Sequence, residues 1–258
     1  MNALMIHNIR KEFFDLNLSD YELTFDDGLY SQYYYLPLFE KIDAPRLYFI
    51  ATGFVRAGKR RGFFDGNHLP FRKSRDYMYE AFVENVFDQF MTIEELKVVA
   101  EGRNTTIGAH SHFHEIVPTM HPPKKPLSRW KTAHSPAAEG LEPESPPNRR
   151  SKLAFRGYSF SRGCLEKRSK KEWEDYVRYD TELCIAWFEK NLGFRPYAYS
   201  FPFNEYNTQL VEILKDYGFK RFYNGRSGDG VEILNRTDID KLALSLKSSQ
   251  VKATSPSQ

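Results

Sequence analysis

Two carboxylates stand side by side at Asp26-Asp27, directly after the apolar run Tyr21–Phe25 and directly before Gly28. Alone, an Asp-Asp-Gly triplet reads as an ordinary solvated turn. A second cluster changes that reading. His110-Ser111-His112-Phe113-His114 carries two histidines four residues apart, so one helical turn beginning there sets both imidazoles on one face. Two imidazoles and one carboxylate are a zinc-binding set that leaves a coordination position open for water. The two clusters together are much harder to read as an ordinary turn and a surface histidine patch than either is alone.

Positioning these groups requires elements that end where the polar residues begin. Apolar runs at 3–6, 21–25, 46–50 and 105–109 read as strands, and three of them stop at His7, at Asp26 and at His110. A further strand over 194–201 leads into Ser200 to Asn204, and late strands are expected at 221–223 and 231–234. Helices are expected between them. Residues 30–41 read as helical, kinked or ended by Pro37, and 76–90 carry apolar residues at helical spacing. Thr92 with Glu95, and Ser169 with Glu172, are capping boxes, while Asn207 or Thr208 opens a last helix closed by Gly218. Alternating strands and helices give an α/β fold with parallel strands, whose carboxyl ends form one face where sites are built.

The 258 residues suffice for one large core, with 41% hydrophobic and 16% aromatic residues and a formal charge of +3. The domain is expected over 1–246, with a Pro-rich insertion at about 117–150 and a disordered polar tail over 247–258. Basic clusters at Lys59 to Arg61 and from Arg149 to Arg156 are solvated loops or attract a phosphate-bearing substrate, and nothing specific supports nucleic-acid binding. Cys164 and Cys184 fit no zinc-ribbon spacing and read as free thiols. There is no signal-like h-region and no run of about 20 apolar residues, so the protein is expected in the cytoplasm without a membrane span.

Thr24-Phe25-Asp26-Asp27-Gly28 followed by His110-Ser111-x-x-His114 resembles the first two motifs of the polysaccharide deacetylases, the NodB-like carbohydrate esterase family 4. The resemblance implies a distorted (β/α) barrel and one divalent metal ion, zinc first, with cobalt, nickel, iron or manganese as alternatives. It assigns Asp27, His110 and His114 as metal ligands and Asp26 as catalytic base. Ser111 would orient the loop by hydrogen bonding. Arg195-Pro196 through Asn204 resembles the family's R-P-x-x-F-A-Y-P-Y-G stretch, with Asn204 in place of Gly. It implies that the Phe203 N–H meets the oxyanion, that Arg195 and Pro202 bind substrate, and that Arg195 is a candidate partner for Asp26. The family's C-terminal L-x-H is absent, since no histidine follows His134. Met5-Ile6-His7-Asn8-Ile9 resembles the N-terminal segment of permuted members, which makes His7 the catalytic acid. The implied activity is N-deacylation of an amino sugar or glycan precursor. Amide or imide hydrolysis on a non-sugar compound, and a catalytically inactive carbohydrate-binding protein, are the alternatives.

Overall fold

In the computed structural model, residues 2–134, 147–161, 164–225 and 232–245 are described. The elements in chain order begin with β1 (Asn2–Ile6) and β2 (Tyr21–Phe25). Helices α1 (Tyr30–Tyr34) and α2 (Leu36–Phe39) lead to β3 (Arg46–Ile50). Helices α3 (Ser74–Tyr79) and α4 (Ile93–Ala100) then precede β4 (Thr105–Ala109). An inserted region holds β5 (Ile116–Thr119), α5 (Arg129–Ala133), β6 (Asn148–Ser151), β7 (Tyr158–Ser161) and β8 (Cys164–Lys167). The long helix α6 (Lys170–Leu192) returns the chain to β9 (Ala198–Ser200), α7 (Thr208–Asp216), β10 (Arg221–Asn224) and β11 (Ile233–Asp238).

Seven of these strands close a barrel in the order β1-β11-β10-β9-β4-β3-β2, and every pairing is parallel. The expected α/β barrel is therefore what the chain forms. Strand residues alternate between two environments, as the period of two requires. Leu4, Ile6, Leu23, Phe25, Tyr48 and Ile50 join the large core shared with the helices. Ala3, Leu47, Phe49, Ala198 and Tyr223 form a separate, smaller cluster inside the ring. Glu22, Thr24 and Asp26 share the inward parity, which carries a line of buried polar groups up the lumen to the mouth. Gly108 permits close packing there: a Cβ would meet the Phe49 ring at 2.7 Å and the Ala198 carbonyl oxygen at 2.9 Å.

The capping signals act as read. Thr92 with Glu95 and Ser169 with Glu172 form reciprocal capping boxes, Asn207 accepts from the Leu210 N–H, and Gly193 closes α6 at φ 76°. The helix expected over 30–41 breaks at Tyr35, two residues before Pro37, which falls in the first turn of α2, where its missing N–H costs nothing. The helix expected over 76–90 is shorter. It passes through one π turn at Glu80–Glu84 and stops at left-handed Asn85 (φ 57°), leaving Val83 and Val86 exposed despite their helical spacing. The Pro-rich stretch is not wholly loop: β5 pairs antiparallel with β6, and Pro118 sits in that ladder opposite Arg149. Residues 135–146 and the 247–258 tail lie outside the described residues. Among the described residues no helix is long and apolar enough to cross a membrane.

Candidate active site

The carboxyl ends of β1, β2, β4 and β9 meet at one mouth of the barrel. There His7, Asp26, Asp27, His110, His114 and Phe203 line a cavity of about 210 Å³. Asp26 continues the inward parity of β2, whereas Asp27 takes φ 74° and Gly28 φ 78°, which turns the second carboxylate sideways toward the histidines. A non-glycine residue held left-handed beside a cavity is strain of the kind that functional sites retain.

Asp27 Oδ1 lies 3.4 Å from His110 Nε2 and 3.6 Å from His114 Nε2. These separations are long for hydrogen bonds. They match two donors sharing a tetrahedral ion, since bonds of 2.0–2.1 Å place ligand atoms roughly 3.4 Å apart. All three donor atoms lie within 4.8 Å of one another, and all three residues are buried. Outer partners hold two of the three donors, while His114 Nδ1 is buried without a hydrogen-bond partner among the described residues. His110 Nδ1 donates to the Ser200 carbonyl at 2.8 Å, which leaves the Nε2 lone pair facing Asp27. Tyr77 Oη donates to Asp27 Oδ2 at 2.9 Å, so one carboxylate oxygen is held and the other is free to bind. The donor set therefore fits a zinc-type divalent cation.

Local electrostatics support the same division of labour. Burial pushes the Asp26 carboxyl up, but Arg236, His110 and His7 outweigh it, and the group lies below the ordinary carboxylate range. Burial likewise opposes ionisation of Asp27, and the His110 ring 3.4 Å away, with the charges of His7 and His114, pulls it well below its ordinary value. Burial drives His114 down to about 3, which keeps it a neutral donor. His110 moves the other way: burial lowers it, yet Asp26 and Asp27 together raise it.

The two histidines do not share a helical turn. Ser111 and His114 both adopt positive φ (74° and 52°), so the segment is a curled loop rather than a helix. Asp180 of α6 holds it, accepting from Ser111 Oγ at 2.8 Å, the His112 N–H at 3.1 Å and the Phe113 N–H at 2.8 Å. Ser111 Oγ accepts in turn from the His114 N–H at 3.0 Å. Burial raises Asp180 to about 6, although the three donors pull against it.

The partner of Asp26 is not Arg195. Arg195 enters β9 from the opposite end of the barrel, is exposed, and lies 3.5 Å from Glu189. The cation is Arg236 of β11, which grips both Asp26 oxygens (Nη1 to Oδ1 2.7 Å, Nη2 to Oδ2 2.8 Å) and also reaches Ser200 Oγ at 2.8 Å. Pro202, expected against substrate, is buried behind the wall, and Phe201, Phe203 and Asn204 face the cavity instead. Phe203 and Asn204 are both left-handed, at φ 61° and 54°. His7 lies beside Asp26 at the end of the neighbouring strand, its Nε2 4.0 Å from Asp26 Oδ2 and its side chain 33% exposed. The basic clusters are largely spent on the fold: Arg61 binds buried Glu95, Arg150 binds Glu205, and Lys152 binds Glu115.

No family model matches the sequence, and no curated protein matches it. Solved structures do. The de-N-acetylase from Aggregatibacter actinomycetemcomitans superimposes with a TM-score of 0.58 at 12% identity, over 91% of this chain and 93% of that one. IcaB from Ammonifex degensii gives 0.56 at 16% identity, over 94% and 95%. The BpsB deacetylase domain from Bordetella bronchiseptica gives 0.56 at 19% identity, over 84% and 70%. The chain has the polysaccharide-deacetylase fold. Within that deacetylase fold, sequence reading missed Arg236, Tyr77 and Asp180. None sits in a motif, and Arg236 lies among polar residues, Asn235, Thr237 and Asp238, that disguise the strand.

Proposed function

We propose that this chain is a metal-dependent hydrolase that removes an N-acyl group, acetyl first, from an amino sugar or glycan precursor. One observation carries the reading. The buried Asp27-His110-His114 donor set opens into the same cavity as an ionised carboxylate, Asp26, in a barrel of deacetylase fold. A pure binding protein has no use for that second carboxylate.

Asp27, His110 and His114 would hold the cation, with zinc the best match to two imidazoles and one carboxylate. When bound, such an ion polarises the scissile carbonyl and lowers the pKa of water to about 7.

The chain's own residues do the rest. Arg236 keeps Asp26 ionised and fixes both of its oxygens, so the carboxylate cannot rotate away from an attacking water. Asp26 takes the proton of that water as general base. The Phe203 N–H would serve as donor to the developing oxyanion; Phe203 lines the cavity and is left-handed at φ 61°. His7, 4.0 Å from Asp26 at the end of the adjacent strand, would give a proton to the leaving amine. Gln32 steadies both of these groups, since its Nε2 donates to the Asp26 carbonyl at 2.6 Å and to the His7 carbonyl at 3.1 Å.

The test is release of acetate from N-acetylglucosamine oligomers and conjugates by purified protein. Activity should vanish with a chelator and return on adding zinc. Absence of acetate from every such substrate, with metal demonstrably bound, would remove the proposal.

A further inference from the structure

We propose that the sugar accepted at this site carries an anionic substituent, a phosphate or a carboxylate, which Lys131 and Arg75 receive at the rim of the cavity. The inference rests on the deacylase reading above and adds the class of substrate.

The cavity wall contributed by α3 and α5 bears two cations and no carboxylate. Lys131, Trp130, Arg75, Ser74 and Met78 all line it. The acids in the cavity are Asp26 and Asp27, and both are already engaged. Asp26 is neutralised by Arg236, and Asp27 belongs to the metal donors.

Lys131 is the more telling of the two. Its ammonium is half-buried, 5.0 Å from the centre of the Phe203 ring and 5.6 Å from that of Trp130. The Phe203 ring in turn lies 4.5 Å from the His114 ring, so the cation stands one aromatic ring away from the metal donors. Lys131 makes no ion pair among the described residues. Glu205, the acid whose charge acts on it, is committed to Arg150 at 2.5 Å and to the Ser151 N–H at 2.7 Å. Burial accordingly pushes the Lys131 ammonium below its ordinary value.

Two neighbouring cations are matched, Lys152 by Glu115 and Arg150 by Glu205, and buried Arg149, which has no carboxylate among the described residues, bonds the Pro147 carbonyl and does not line the cavity. A half-buried ammonium without a carboxylate is costly, and an aromatic face offsets only part of the cost. A ligand anion would offset the remainder. Arg75 stands on the facing helix, 62% exposed, with only its neighbour Asp76 at 3.5 Å. It is free to swing onto the same anion. Trp130 and Phe203, stacked at 21° with centroids 6.1 Å apart, give the sugar ring an apolar wall beneath the two charges.

The experiment compares three acetylated sugars: N-acetylglucosamine 1-phosphate, N-acetylmuramic acid and neutral methyl N-acetylglucosaminide. Metal-loaded protein is assayed for acetate release, and D26N, which binds without turning over, is titrated calorimetrically with each. One of the two anionic sugars should exceed the neutral one by roughly 10–100-fold in kcat/KM and in affinity, as a charge-assisted contact predicts. K131M should erase most of that advantage, K131R should restore it, and R75Q should reduce it in part. Which anionic sugar wins separates phosphate from carboxylate. Equal binding of all three, or an advantage that survives K131M, overturns the proposal. Should D26N prove poorly folded by its melting curve, metal-depleted wild-type protein serves for the titration. Failure of turnover on all three sugars strikes the deacylase reading, while the titration still decides the anion preference.

Discussion

The strand ends of the barrel and the inserted region meet at the same cavity, but they are built to different standards. At the strand ends Asp26, Asp27 and His110 are buried and held by partners from other elements: Asp26 by β11, His110 by the Ser200 carbonyl, Asp27 by Tyr77. The inserted region is framed by two short antiparallel hairpins and a five-residue helix, and its contribution is a face of Trp130 and Lys131. Parallel strands locked in a closed ring fix atoms to the tolerance that chemistry needs. A region folded over the mouth can vary its surface without disturbing them. Substitutions in the barrel should therefore strike turnover and metal, and substitutions in the insertion should strike recognition.

The sharpest break of that contrast is D26N, expected to lower kcat by about 10²–10⁴ while metal content by elemental analysis is unchanged. Next comes R236M. Asp26 would stay buried without its cation, which should cost about 3–5 kcal/mol in denaturant melts. The sign with pH follows from the lowered Asp26 carboxyl. The pair's contribution is present above the unfolded value and lost as pH falls through the folded one, so in R236M the acid limb of kcat/KM should move to higher pH. Y77F frees Asp27 Oδ2 and should weaken zinc affinity by about 10–100-fold in competition titrations. W130L, in the insertion, should raise KM about 2–10-fold with kcat and metal content held; a fall in kcat instead would erase the distinction between the two regions.

D180N gives the smallest and most specific effect. The Asp180 carboxyl is raised to about 6, so the folded state retains its proton where the unfolded chain has lost it. Its stabilising share is complete below about pH 3.8 and is lost as pH rises through about 6. Melting temperatures of D180N should lack that component of the slope.

Much of the barrel was legible in the sequence. The runs 21–25, 46–50 and 105–109 coincide with β2, β3 and β4, because each strand writes its core-facing side in apolar residues: Leu23 and Phe25, Tyr48 and Ile50, Ile107 and Ala109. The same rule hid Arg236. Reading the last strand as the apolar run 231–234 stops it short, while β11 runs Ile233–Asp238 through Asn235, Arg236 and Thr237. Arg236 looks wrong for a buried strand only because its partner, Asp26, lies on another strand. The histidine spacing suggested a helical turn, and the chain instead curls through two positive-φ residues around Asp180, a contact that no local pattern encodes. Arg195 was mistaken for Arg236 because motif order gives no information on which end of a strand a residue occupies.

β1 pairs with β2 on one side and β11 on the other, with Ala3 opposite both Glu22 and Arg236. Asp26 and the guanidinium that restrains it are 210 positions apart along the chain, and this last seam brings them together. A ring still open at that seam would have its helices and the Asp27-His110-His114 cluster, yet an Asp26 without its cation. Under the proposed function, acetate release would therefore gauge ring closure, and on refolding it should recover after the far-ultraviolet circular dichroism signal rather than with it.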